Sequence, residues 1–183
     1  SLCFFLVSVA IGVFSVRHDP AFANLILGES YVQSTIENIN KGDPMAVYKK
    51  MNSLDMFLGI SINNLRVSFF VFIFGILYCI GTVGMLLYNG IMLGVFQYFF
   101  INYGLFRESF LSIWLHGTLE ISCIIIAGGA GITLGKGLVF PGTYKRSQSF
   151  FLGARKSIKI LIGIAPLIVM AAIIESFMTR YTE

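Results

Sequence analysis

The sequence predicts an all-α, polytopic transmembrane helical bundle with about five membrane segments and an extracytoplasmic helical loop. Hydrophobic residues make up 56% of its 183 residues and charged residues 12%, whereas a soluble domain has ~25% charged residues. The apolar residues form runs that approach the ~20 residues a helix needs to cross a bilayer. The 19 glycines and 18 phenylalanines suit apolar helices that pack closely through small residues.

The first part of the chain combines an apolar run with a polar stretch. Residues 1–16 are predicted as span one, and 17–62 as an extracytoplasmic helical region. Asp19-Pro20 and Gly42-Asp43-Pro44 resemble helix starts, because an acidic N-cap precedes a proline. Helical spacing of apolar residues further predicts a short amphipathic helix containing Val47, Met51, Leu54 and Leu58.

The later apolar runs predict the remaining spans. Span two is expected at 63–88, followed by a turn at Asn89-Gly90. The next run, 91–103, is shorter than a full crossing requires and is interpreted as a short or re-entrant span. Span four is expected at 108–135 and span five at 158–179.

Basic residues orient this bundle. Between 136 and 159 there is no acidic residue but six basic ones: Lys136, Lys145, Arg146, Arg155, Lys156 and Lys159. The positive-inside rule predicts a cytoplasmic basic loop at 136–157, with 17–62 on the opposite side. Two roles remain open for the basic residues, a topology anchor on anionic lipid or a docking site for a cytoplasmic partner.

An ionisable pair lies within the apolar sequence of span four. His116 and Glu120 are four residues apart, so on a helix they share one face. Ionisable groups in a span are costly and are functional candidates by default. The predicted topology brings other polar residues to the same leaflet, giving a candidate intramembrane cluster of Asn63, Asn64, Arg66, His116, Glu120 and Glu175.

Three interpretations of this cluster stay open. It could be a structural hydrogen-bonded lock between helices, a site for a proton, ion or polar ligand, or a hydrolytic site. The zinc-protease signature requires a second histidine four residues away, which is missing here. The sequence also has no nucleophile elbow, phosphate loop or CxxC motif. We therefore predict no catalytic residue, metal or cofactor.

Small residues recur at four-residue spacing in several apolar segments. Such small-xxx-small patterns let two helix backbones approach closely, and they would also permit a homodimer. The predicted packing residues are Gly90, Gly94, Gly117, Ala127, Gly131 and Gly135.

Taken together, the ordered motifs resemble the stage II sporulation protein M family of integral membrane proteins. The resemblance covers essentially the whole chain, and its combination of motifs is specific although each motif alone is weak. The motifs are Asn63-Asn64, Gly81-Thr82, Asn89-Gly90 with Gly94, His116-Gly117 with Glu120, Ala127-Gly128 with Ala130-Gly131, Pro141-Gly142-Thr143-Tyr144, and Ile174-Glu175 with Phe177, Thr179 and Arg180.

The resemblance implies an all-helical membrane scaffold in a bacterial inner (cytoplasmic) membrane. In spore formers the family member works with a peptidoglycan-degrading enzyme during engulfment, and other members are associated with MoxR-type ATPases. The resemblance offers no catalytic residues to transfer. We therefore expect a scaffold that positions envelope or cell-wall-remodelling partners in contact with membrane lipid. The alternatives are a small transporter or channel using the polar cluster and, more weakly, an intramembrane hydrolase.

Overall fold

The computed structural model describes residues 1–42 and 53–178, and these residues are almost entirely α-helical. Within them, seven α-helices and one 3₁₀ turn follow one another with no strand, which confirms the predicted all-α class. The helices are α1 Leu2–His18, α2 Ala21–Leu27, α3 Glu29–Asn40, α4 Ser53–Ile73, α5 Ile80–Asn102, α6 Phe106–Val139 and α7 Arg146–Met178, with the 3₁₀ turn at Phe74–Ile76. The amphipathic helix predicted around Val47 and Met51 lies largely outside the described residues.

Four of the helices contain segments that are long and apolar enough to cross a membrane. These segments are Phe57–Ile76, Ile80–Asn102, Gly117–Val139 and Arg146–Ile174. At ~1.5 Å per residue, 20 residues extend about 30 Å, which is the thickness of the hydrocarbon core. α1 is a shorter apolar helix of 17 residues. The chain is therefore a multi-pass membrane protein.

The predicted boundaries of the second and third spans are wrong. The predicted span 63–88 is interrupted by a tight hairpin, because α4 begins at Ser53 and ends at Ile73. The predicted short segment 91–103 belongs to α5, a continuous helix of 23 residues. Asn89 does not form a turn, since its side-chain amide donates to the Met85 carbonyl one turn earlier at 2.8 Å.

The hairpin between α4 and α5 is built from residues that carry no ordinary turn signal. Tyr78 and Cys79 adopt φ values of 51° and 69°, a region that non-glycine residues rarely enter. The Thr82 hydroxyl donates to the Val71 carbonyl at 2.7 Å and joins the two helices. Burial raises the pKa of the Cys79 thiol, which keeps it protonated as a donor to the Ile132 carbonyl at 3.4 Å.

Glycines of α5 bring that helix into backbone contact with α1. A Cβ atom at Gly90 would collide with Ser8 and approach the Phe5 carbonyl oxygen to 2.7 Å. A Cβ atom at Gly94 would collide with the Val9 carbonyl oxygen. Both glycines therefore lie where two helices touch within one chain.

Helix α6 is the central element, because it contacts α4, α5 and α7. Its Ala127 and Ala130 are fully buried. A Cβ atom at Gly131 would approach the Val71 carbonyl oxygen to 2.8 Å, and one at Gly135 would approach the Cys79 nitrogen to 2.7 Å. The small-residue face of α6 thus allows the end of α4 and the hairpin to pack closely against the α6 backbone.

The predicted basic loop 136–157 is mostly helical. α6 continues to Val139 and α7 already begins at Arg146, which leaves only 140–145 as the connection. Charged residues ended the apolar pattern but did not end the helix, because lysine and arginine are good helix formers. α7 returns along α6, and its buried Ser157 hydroxyl donates to the Ala130 carbonyl at 2.8 Å. All six basic residues between 136 and 159 are exposed, and this part of the protein is called the basic end.

The described part of the predicted region 17–62 folds back onto the bundle. Asp19 starts α2 by accepting a hydrogen bond from the Ala21 amide at 2.9 Å. α2 and α3 then pack against the last turns of α5 through an apolar cluster. Its buried members are Val16, Ala23, Val32, Val95, Phe99 and Phe100.

We predict that Gly94→Ala lowers the free energy of unfolding by about 1–3 kcal/mol, as overpacking does. The physical reason is that the new methyl group would lie against the backbone of α1. The matched control is Gly84→Ala in the same helix, where a Cβ atom meets nothing within 4 Å. This control should be neutral or slightly stabilising. Unfolding in detergent measures both variants, and an equal effect of the two would contradict the α1–α5 contact.

Candidate functional site

The polar contact between α4 and α6 joins Asn64 to Glu120. The Asn64 side-chain amide lies beside the Glu120 carboxylate, close enough to interact with it. Both residues are partly buried, and both lie in segments long enough to cross a membrane. A carboxylate at such a position needs a partner. Of the six residues of the predicted cluster, these two are the ones that the described side chains bring together.

Hydrogen-bonding capacity near this contact is only partly used. Glu120 Oε1 is buried and has no hydrogen-bond partner among the described residues, and the same is true of the Ser61 and Ser68 hydroxyls. A buried polar atom without a partner costs about 1–3 kcal/mol. The carboxylate therefore has an oxygen that could accept a hydrogen bond or bind a cation.

The two serines differ from other hydroxyl residues of the bundle. A serine or threonine in a helix commonly donates to the carbonyl four residues earlier, as Ser122 does to Thr118 at 2.6 Å and Thr133 does to Gly129 at 2.8 Å. Ser61 and Ser68 make no such bond. The sequence analysis missed them, although their spacing of three and four residues from Asn64 places all three on one side of α4.

Asn63 and Arg66 do not join the Asn64–Glu120 contact. Both are exposed, and the Arg66 guanidinium lies over the Phe70 ring, 5.6 Å from its centroid. This arrangement is a cation–π contact one turn along the same helix. The described side chains therefore do not bring these two residues into the contact, because the sequence places them on α4 but does not determine which way they face.

His116 and Glu175 are described only as helix positions. α6 is continuous through 116–120, so His116 lies one turn before Glu120 on the same face. Glu175 lies near the end of α7. The side chains of both residues are outside the described part of the structure, and so is the predicted His116–Glu120 pairing. Gly117, beside His116, is buried.

The described residues offer no ready metal centre. Among the side chains that the structure describes, no group of three histidine, cysteine, aspartate or glutamate residues comes together in a way that could hold a metal ion. The three cysteines Cys3, Cys79 and Cys123 are free thiols. The chemistry that the described site supports is hydrogen bonding and charge pairing through one carboxylate and one amide.

These features define a class of protein, a multi-pass helical membrane protein with a polar contact between two of its spans. The chain belongs to the stage II sporulation protein M family, whose model matches residues 1–180. The resemblance seen in the sequence motifs is thereby confirmed. No curated protein and no solved structure matches the chain.

We predict measurable coupling between Asn64 and Glu120. In a double-mutant cycle of Asn64→Ala and Glu120→Ala, the interaction energy should be about 0.6 kcal/mol and no more than about 1.7 kcal/mol, the average and the maximum for polar contacts between membrane helices. Unfolding in detergent measures all four members of the cycle.

The control cycle replaces Asn64→Ala by Asn63→Ala, since Asn63 is the exposed neighbour on the same helix. Its coupling with Glu120→Ala should be close to zero. Equal coupling in the two cycles would show that the Asn64–Glu120 contact does not contribute to stability.

Proposed function

We propose that this protein is an integral membrane scaffold that positions a cell-wall-remodelling partner. One observation carries the proposal: α2 and α3 form a platform, defined here as residues 21–40, that is fixed to α5 on one side and exposed on the other. Membership of the stage II sporulation protein M family is consistent with this role. The polar contact at Asn64 and Glu120 serves mainly to hold α4 and α6 together.

The buried side of the platform is apolar and well packed. Val32 is buried against the α5 cluster, and the Tyr31 ring lies 6.3 Å from the Phe96 ring of α5. Thr35 is buried and satisfies its hydroxyl internally, through a 2.7 Å bond to the Tyr31 carbonyl. These contacts set the position of α3 relative to the membrane spans.

The side of α3 that faces away from α5 is polar and exposed. Glu29 and Gln33 form a hydrogen bond of 3.1 Å, and Glu37 and Lys41 form an ion pair of 4.0 Å between exposed side chains. Exposed ion pairs of this kind add only about 0–1 kcal/mol to stability. The polar face therefore contributes little to the fold, which suits a surface used to bind a partner.

The distribution of basic residues predicts which end of the protein faces each side of the membrane. The six exposed basic residues lie in the last turn of α6, in the connection 140–145 and in the first four turns of α7, whereas the platform packs on the end of α5 that precedes α6. By the positive-inside rule this basic end faces the cytoplasm of a bacterial cell, and the platform faces outward. A peptidoglycan-degrading enzyme would then bind the platform, and a MoxR-type ATPase would bind the basic end.

A second candidate function, transport of an ion or small polar solute, is favoured by one specific observation. Glu120 Oε1 is buried with no partner among the described residues. Ionisable groups inside spans are a common element of proton and ion pathways. In this case the Asn64–Glu120 contact would be part of the pathway and would not act only as a lock.

We predict that a photo-crosslinking amino acid at Gln33 captures one cell-wall-remodelling protein. Gln33 is chosen because it is exposed on the polar face of α3. The experiment uses the full-length protein in its native membranes. The adduct should be lost in a Glu29→Lys, Glu37→Lys variant, which reverses the charge of that face. The matched control places the same crosslinker at Phe14, a 63% exposed apolar residue of α1, where only lipid adducts are expected.

Three outcomes would contradict the scaffold. They are lipid adducts alone at Gln33, the same protein adducts at Gln33 and Phe14, and an adduct at Gln33 that survives the charge reversal. Transport would replace the scaffold if, in addition, the protein in liposomes carried an ion flux that Glu120→Gln abolished.

A further inference from the structure

An apolar groove runs between α4 and α7 on the surface of the bundle. Its volume is about 300 Å³. The groove is open on its outer side, where Phe69 of α4 and Ile162 of α7 are exposed, Ile162 to 67%. Its lining includes Ser68 and Phe69 of α4 and Ile162, Ala165 and Ile168 of α7. Both walls belong to segments that can cross a membrane, so the groove opens to the bilayer.

Two exposed basic residues of α7, Arg155 and Lys159, lie between the start of that helix and the part of it that lines the groove. Arg155, Ile158, Lys159 and Ile162 are spaced by three and four residues along α7, so they form one stripe on the helix surface. All four are exposed. At ~1.5 Å per residue, Lys159 lies about 4.5 Å and Arg155 about 10.5 Å along the axis from Ile162.

These cations have no acidic partner in the described part of the chain. The ion pair found there joins Lys41 to Glu37 on α3, far from α7 in the sequence. Positive charge beside an apolar groove is complementary to an amphiphile with an anionic head. The axial distance from Lys159 to Ile168, about 14 Å, is close to the depth of one leaflet of a ~30 Å hydrocarbon core.

We infer that the α4–α7 groove binds an anionic phospholipid, with an acyl chain in the groove and the phosphate at Arg155 and Lys159. Apart from Ser68 the groove walls are apolar, which favours an acyl chain over a polar ligand in the groove itself. The stripe adds two charges at the depth where a headgroup lies, and each basic residue near a membrane surface favours anionic lipid. This site is independent of the proposed platform partner, because it lies on other helices.

The test is native mass spectrometry of the full-length protein titrated with phosphatidylglycerol or with phosphatidylcholine. We expect one phosphatidylglycerol molecule to bind at least tenfold more tightly than phosphatidylcholine. An Arg155→Gln, Lys159→Gln variant should reduce that preference by roughly tenfold or more. The charge-matched control is Arg146→Gln, Lys156→Gln, because Lys156 lies on a different side of α7 from Ile162.

A second pair of variants tests the groove without changing charge. Ala165→Phe adds bulk to the groove wall and should weaken binding of both lipids. Gly163→Phe adds bulk on the opposite side of α7, where a Cβ atom meets nothing within 4 Å, and should leave binding unchanged. The unfolding temperature of each variant is measured to establish that the variant remains folded.

Three results would overturn the inference. The first is equal affinity for the two lipids. The second is loss of binding in both charge variants alike, which would indicate general attraction to the basic end. The third is a dimer of the chain that Ala165→Phe dissociates, which would show that a second copy occupies the groove.

Discussion

The whole arrangement depends on the close approach of helix backbones along the small-residue face of α6. Lipid chains are as apolar as leucine, so the hydrophobic effect does not drive helices together inside a membrane, and van der Waals contact must do so. Gly131 and Gly135 allow the end of α4 and the hairpin to reach the α6 backbone. Ala127 and Ala130 complete this face and are fully buried. Larger side chains at these positions would separate α4 from α6.

This packing also determines where polar groups can meet. α4 and α6 run in the same direction and touch near Gly75 and Gly131, which keeps them in register as far as Asn64 and Glu120. α7 returns along α6 in the opposite direction, because Gly137 of α6 lies against Ser149 of α7 and, further along α7, Ser157 bonds to the Ala130 carbonyl. The same geometry leaves the groove between α4 and α7, so the polar contact and the lipid-facing groove follow from one set of helix contacts.

Much of the fold could be predicted from the sequence, whereas the hairpin could not. Apolar runs and small-residue spacing are local patterns, and they indicate helices and close contacts directly. The turn at Tyr78 and Cys79 could not be seen, because tertiary contacts hold two residues that lack turn propensity in a left-handed conformation. Asn89-Gly90 misled the prediction in the opposite way, because the pair resembles a turn signal in the sequence. In the structure the Asn89 amide bonds within its own helix. The sequence named Asn64 and Glu120, but it could not show that Arg66 turns toward Phe70.

We propose that the platform formed by α2 and α3 holds a cell-wall-remodelling partner. The most direct measurement is the mass of single particles that contain the full-length protein, extracted from its native membranes together with the surrounding lipid. We expect a particle that contains a cell-wall-remodelling protein together with this chain, and the Glu29→Lys, Glu37→Lys variant should disrupt it. Particles that contain only this chain, alone or as multiples of itself, would contradict it.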